Sequence, residues 1–558
     1  MKIHQFLLMV IVAAAPLGAQ TTVSGVIDAA TIWTLAGSPY HVSGDITIAR
    51  DASLTIEPGV EVRFASATGL RAEGPLIVEG SATAPIRFVP ASGSDSVDWK
   101  GISIRKTGAT VFDSTTSRIG GSLIRNVEII GASVGLNVFG GGIIVDSSLF
   151  EHNEFSLAFA NTRHAFIRGN IFRDNYWGEI VTASFEPGDV GYELYDTRII
   201  GNEIYGGASP IRLEVRHQKL TYFEFAYNRL RRADGLTVSG MVPGDVQSVH
   251  IHHNLIESLL DGLVLQLRPA AGIPVTAQRH VLVEKNIISG GKYAACLLGG
   301  DGVIRTHFEM NSIADFGAGA LAMYNGLRTL RSNTFVDNGF HVQLGSGGIP
   351  GDSVTVLQHN VFGSMLGYTL YTTGNVRVVA EENDFIGAMG IAVWNGSGNR
   401  ISAVNSYWGR GADERSVRER LTYDSVNAPV DYLPMASSGY WLAPLLRPDA
   451  VHIQRDHFDG GWVVTWSPSP DPRVTGYRVH YGRGRDGRFA YSEAAGLDSI
   501  FTVNWPFRDI AVTAVIGGAG GELDQLEGRE SWFAFPEEPS PSSVPTMTSP
   551  RPLKLDLR

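Results

Sequence analysis

The stretch VHIHHNLIESLLDGLVLQLR, residues 249–268, places three histidines within four positions. On a strand, alternation puts His250 and His252 on the same face. A His-x-His pair with a neighbouring carboxylate can hold zinc or another divalent ion. Similar segments before and after this one, aligned on their asparagines, bring Glu224 and Glu284 beside the pair, with His307 and Glu309 one step further. His250, His252, Glu224 and Glu284 are therefore candidate metal ligands. A surface ladder of His–Glu hydrogen bonds is the plainer reading of the same pattern. His253 falls in a turn and is expected to be exposed. A second group could hold a sugar. IRLEVR (211–216) carries Arg212, Glu214 and Arg216 at the same offsets from its asparagine as Val264, Gln266 and Arg268. His341, Gln343 and Trp394 are expected to face out from equivalent strands. Arginine grips a carboxylate bidentately, and tryptophan offers a flat apolar face to a sugar ring. A solvated strand with Arg–Glu pairing competes with that reading.

The alignment behind these groupings is a repeat. IRGNIF, IIGNEI, FAYNRL, IHHNLI, VEKNII, FEMNSI, LRSNTF, LQHNVF and AEENDF each carry one asparagine between a short apolar strand and an apolar residue. These asparagines, 170, 202, 228, 254, 286, 311, 333, 360 and 383, are spaced 32, 26, 26, 32, 25, 22, 27 and 23 apart. Asn126 and Ser148 extend the series backwards in steps of 22. A fixed floor with insertions predicts a solenoid. Period-two alternation in each segment predicts strands rather than helices. The fold class is all-β: a right-handed parallel β-helix solenoid, followed by a small antiparallel β-sandwich. The asparagine suits a left-handed bend, and stacked amides can bond in a ladder.

The pattern resembles the right-handed parallel β-helix of the pectin lyase-like superfamily. WTLAGSPYHVSGDITIARDASLTIEPGVEVRF (33–64) looks like its first coils, and NSYWGRGADERSVRERLTYDSVNAPVDYLP (405–434) like its closing segment. The resemblance implies that Trp408 plugs the last coil, with a short helix near Asp413–Leu421 and a strand near Val430–Tyr432 covering the open edge. It also implies a polysaccharide groove along the first sheet, roughly the GLVL strand. Neither an acidic calcium cluster nor the aspartate set of that group's glycosidases stands out. GGWVVTWSPSPDPRVTGYRVHYGR (460–483) and DIAVTAVIGGAGGELDQLEGRES (509–531) together resemble a fibronectin type III sandwich. That likeness implies Trp466 as core tryptophan and Tyr477 on the next strand, with Ile510 where the late-strand tyrosine would stand.

Four segments follow: a signal peptide (1–20), the β-helix (21–440), the fibronectin-like domain (446–535) and a Pro/Ser-rich tail (536–558) expected to be disordered. A lysine ahead of an apolar run from Phe6 to Ala15 carries the first of these, with cleavage near Ala19 or Gln20. No later run reaches about 18 apolar residues, so no transmembrane segment is expected. Net charge of −11 argues against nucleic acid as a partner. One cysteine, Cys296, excludes a disulfide framework within the chain. A monomeric bacterial protein, secreted, periplasmic or held on the cell surface, is expected, its partner an extracellular or envelope polysaccharide. A polysaccharide lyase or glycoside hydrolase acting on an acidic polymer is the alternative, and a structural or adhesive rod the second alternative. No cofactor beyond the divalent metal is expected, and no catalytic residue is identifiable.

Overall fold

A computed structural model of the chain describes residues 20–536, except 95, 114–116, 183–193, 207–210, 243–248, 270–280, 300–303, 324–326, 346–353, 388–389, 424–428, 456–460, 485–487, 505–508 and 522. Residues 1–19, where a signal peptide is expected, and the tail from 537 onward lie outside it. The chain divides into two compact units, the second beginning at Leu445.

Among the described residues of the first unit, 43 strands form one parallel sheet wound into a solenoid. Most coils contribute three short strands, each paired with the equivalent strand one coil away, while Ala132–Asp146 and Phe155–Arg168 each run two such strands together. Val249–His252, Leu255–Ser258 and Leu263–Pro269 make one such coil. They pair in parallel with Val281–Glu284, Ile287–Ser289 and Ala294–Gly299 of the next. The inward positions are almost wholly apolar, and among the described residues they join into a single core from Trp33 to Val430.

Between the first and second strands stands the asparagine column. Asn254 Nδ2 donates to Asn286 Oδ1 at 2.9 Å and to the Phe225 carbonyl of the coil before at 2.8 Å. Its backbone N–H donates to the same Oδ1 at 3.1 Å. Equivalent amide bonds of 2.9–3.1 Å run through every step from Asn170 to Asn383, where Ser406 Oγ takes over. The ladder is as expected, but the left-handed bend is not the asparagine's. Tyr227, His253, Lys285, Met310, Ser332, His359 and Glu382, each one residue earlier, have φ of 52–58°. The asparagine that follows lies outside the left-handed region and puts its amide into the ladder. Asn126 itself has φ 50°, so it takes the bend position and not the ladder position.

Two residues beyond the ladder, Phe335, Phe362, Phe385 and Trp408 stack at 5.3, 5.2 and 4.5 Å between ring centroids. Trp408 thus closes the aromatic stack. The helix Glu414–Glu419, capped by Asp413 and Ser416, and the strand Val430–Asp431 follow. Among the described residues no helix is long and apolar enough to cross a membrane.

The second unit holds two antiparallel three-stranded sheets. Asp449–Arg455, Trp462–Ser467 and Ile500–Val503 form one; Phe489–Gly496, Gly476–Arg483 and Ile510–Val515 form the other. Trp466, Tyr477, Val479, Ile510 and Val512 belong to the core between them. Trp466 meets Tyr477 edge-on at 5.6 Å, and the Tyr477 hydroxyl accepts the Ser469 N–H at 3.1 Å.

Candidate functional site

The third strand of each coil presents an outward column that can be followed in register. Arg212 pairs with Thr237, and Thr237 with Val264. At the far end Gln343 pairs with Tyr371, and Tyr371 with Trp394. Arg212 and Gln266 are exposed. Glu214 and Gln266 occupy the same column through Ser239. Arg216 and Arg268 do not share one. A register shift after Val215 makes Lys219 the partner of Met241, which pairs with Arg268. The side chains of Glu214, Arg216 and Arg268 lie outside the described part of the structure.

His341 is a correction. It was expected to face out two residues before Gln343, yet it is fully buried. The strand here is only Val342–Leu344, so alternation does not extend back to His341. The preceding turn folds the ring inward, 3.3 Å from Asn338 Nδ2 through Nδ1 and 3.3 Å from the Gly363 carbonyl through Nε2. Burial holds its pKa down at about 4, so the ring is a neutral core group.

Trp394 does face out, half-buried, and it has company the sequence reading missed. Tyr371 meets it edge-on at 5.4 Å, Tyr368 lies 4.8 Å from Tyr371, and Phe340 stacks on Tyr368 at 5.5 Å. The Tyr368 hydroxyl lies 3.4 Å from Gln343 Oε1. Tyr371 could have been found: it falls eleven residues after Asn360, as Trp394 does after Asn383. Tyr368 opens its strand and Phe340 lies two residues before one, where that offset carries no signal. The result is a run of aromatic rings on the solenoid surface with amide and hydroxyl groups beside it.

The histidine face is on the first strands. Glu224, His250, Leu282 and His307 share one column; Ala226, His252, Glu284 and Glu309 share the next. His250 Nε2 lies 2.9 Å from Glu284 Oε1, and His252 Nε2 3.2 Å from Glu224 Oε1. The two rings lie 4.0 Å apart between centroids, tilted by 34°. The hydrogen bond from His252 holds the Glu224 carboxyl below its usual range, and burial lowers the pKa of His250 despite Glu284. The four proposed ligands are thus brought together, but as two separate imidazole–carboxylate pairs. Among the described residues, the group whose ligand atoms gather within 4.8 Å is a different one, Glu151, His152 and Asp174. There Glu151 Oε1 already receives the Arg173 guanidinium at 2.6 Å.

Residues 246–406 match the family described as the right handed beta helix region. No curated protein matches the chain. Among solved structures, a tailspike protein mutant of E. coli bacteriophage HK620 in complex with pentasaccharide is similar at 11% identity, covering 88% of this chain and 86% of that one, with a TM-score of 0.35. The catalytic unit of a GH87 alpha-1,3-glucanase from Streptomyces thermodiastaticus is similar at 13% identity, covering 76% and 64%, with a TM-score of 0.22.

Proposed function

We propose that this protein is exported and binds an extracellular or envelope polysaccharide along the outward column of its third-strand sheet. The reading rests chiefly on one observation: Tyr371 and Trp394, on adjacent coils, present half-buried rings to solvent beside Gln343. Large aromatics on a solenoid surface do nothing for the core, whereas a flat apolar ring beside hydrogen-bonding groups suits the alternating apolar and hydroxylated faces of a sugar. Arg212, exposed on the same column, adds a point of attraction for an acidic residue of the polymer. The second unit, read as fibronectin type III-like, serves as spacer or attachment module. The solenoid is read as pectin lyase-like.

Affinity electrophoresis through gels cast with pectate, alginate, a glycosaminoglycan or a neutral glucan tests this. At least one polymer should retard the native protein. Tyr371→Ala with Trp394→Ala should weaken that retardation at least tenfold, equivalent to about 1.4 kcal/mol, without moving the melting temperature by more than a few degrees. Retardation by no polymer, or unchanged retardation of the variant, contradicts the reading.

A further inference from the structure

At the other end of the same sheet, the early coils enclose a groove of about 360 Å³, within the range of small-ligand sites, roughly 300–1,000 Å³. Its floor is backbone. Gly69 and Gly101 are paired in register, and a Cβ on Gly101 would sit 1.7 Å from the Val134 carbonyl oxygen. The outward column rises from this floor as Thr47, Arg71, Ser103 and Asn137, each in register with the next.

Two polar groups here lack protein partners. Ser103 Oγ and Asn137 Oδ1 are both buried with no hydrogen bond, and Asn137 as a whole is 7% exposed. An unsatisfied buried polar atom costs on the order of 1–3 kcal/mol, so a fold that keeps two of them side by side, on registered positions lining a groove, favours an external partner. The two cations at the rim are already answered. Lys100 Nζ lies 2.6 Å from Asp45 Oδ2, and Arg71 2.8 Å from Glu73. Asp45 is further fixed by accepting the Gly69 N–H at 3.0 Å. A ligand carboxylate would therefore meet Asp45 and Glu73 as much as the cations. A hydroxyl meets no such opposition: it can accept from one of the pair and donate to the other, since a serine hydroxyl does both and an asparagine amide turns to offer either end.

We infer that this groove is a subsite for a neutral, hydroxylated sugar ring, one hydroxyl of which bridges Ser103 and Asn137. The inference rests on the reading of this sheet as a glycan-binding face, but it assigns a different end and a different ligand chemistry. Isothermal titration of the full chain with neutral oligosaccharides (malto-, laminari- and mannohexaose) and with hexagalacturonate separates the two. At least one neutral hexasaccharide should bind, with affinity changing less than twofold between 50 and 500 mM salt, because no ion pair is screened. Asn137→Ala and Ser103→Ala should each weaken it at least fivefold. Thr47→Trp, which fills the groove from an outward position, should abolish it with the fold intact by circular dichroism. Binding by none of the neutral sugars, or binding that survives Thr47→Trp, overturns the inference. Hexagalacturonate binding that depends on Trp394, with no neutral sugar bound, overturns it while leaving the distal aromatic face standing. Neutral binding that survives loss of Tyr371 and Trp394 but not Thr47→Trp supports the groove and leaves the distal face without a role.

Discussion

Two buried titratable groups set opposite limits on stability. His341 sits neutral in the core with its pKa held down at about 4 by burial. The unfolded ring binds a proton below about 6.5, so the folded state loses stability as pH falls from there to about 4. That difference amounts to roughly 3 kcal/mol at about 1.4 kcal/mol per pH unit. Glu179 works the other way. It is fully buried and accepts from Ser156 Oγ and Asn175 Nδ2, both at 2.7 Å, on one oxygen, while the other has no partner. Burial pushes its pKa up to about 8. A raised carboxyl pKa gives stability that is complete below the unfolded value and declines as pH rises through the folded one, here by about 5 kcal/mol at most. The two trends offset each other between about pH 4.5 and 6.5, so urea unfolding across pH 4 to 9 should show a plateau there and an alkaline limb of falling stability from about 6.5 to 8. Glu179→Gln should remove that limb and leave stability rising from about pH 4 to 6.5, and His341→Gln should let the decline begin near about pH 4.5. An alkaline limb identical in wild type and Glu179→Gln would contradict the assignment.

At the scale of the element, the asparagine ladder turns a repeat into a fold. Each amide satisfies a backbone carbonyl of the coil behind it and the amide of the coil ahead, in a bend sealed from water. Asn254→Leu removes all of these bonds at once, takes the amide donor from the Phe225 carbonyl and the Oδ1 acceptor from the Asn228 backbone N–H, and should destabilise by about 1–3 kcal/mol. An unchanged melting temperature would show that the ladder contributes nothing. This element was legible in the sequence because one residue type recurs at one place in every coil. The closing segment was legible for a similar reason: Trp408, Asp413 and Val430 belong to a stretch whose capping and plugging residues are distinctive. Other features were not. The left-handed residue before each asparagine varies among Gly, Tyr, His, Lys, Met, Ser and Glu, so no composition signal marks it. His341 misled because period-two alternation holds only within a strand, and its strand starts one residue later. The shift that separates Arg216 from Arg268 arises at a bulge, which offsets counted from a distant asparagine cannot register. The placement of the four histidine-face residues on neighbouring columns followed from those same offsets, since no bulge intervenes between Glu224 and Glu309, but which imidazole meets which carboxylate did not.

For the whole molecule, a solenoid gives function a surface rather than a pocket. Its core is one continuous apolar column, which leaves each outward position free to be chosen for a ligand, coil by coil. The third-strand sheet carries such choices at both ends, with a polar groove near Ser103 and Asn137 and an aromatic run from Phe340 to Trp394. On the proposed reading a polymer is the ligand that fits such a face, because each coil can engage one more part of the same chain. The most direct measurement is a crystal structure of the full-length protein with an oligosaccharide of whichever polymer retards it most. A sugar ring lying against Tyr371 and Trp394 on the third-strand sheet is the expected result. Sugar bound instead on the histidine face of the first-strand sheet, with the aromatic run bare, would contradict it.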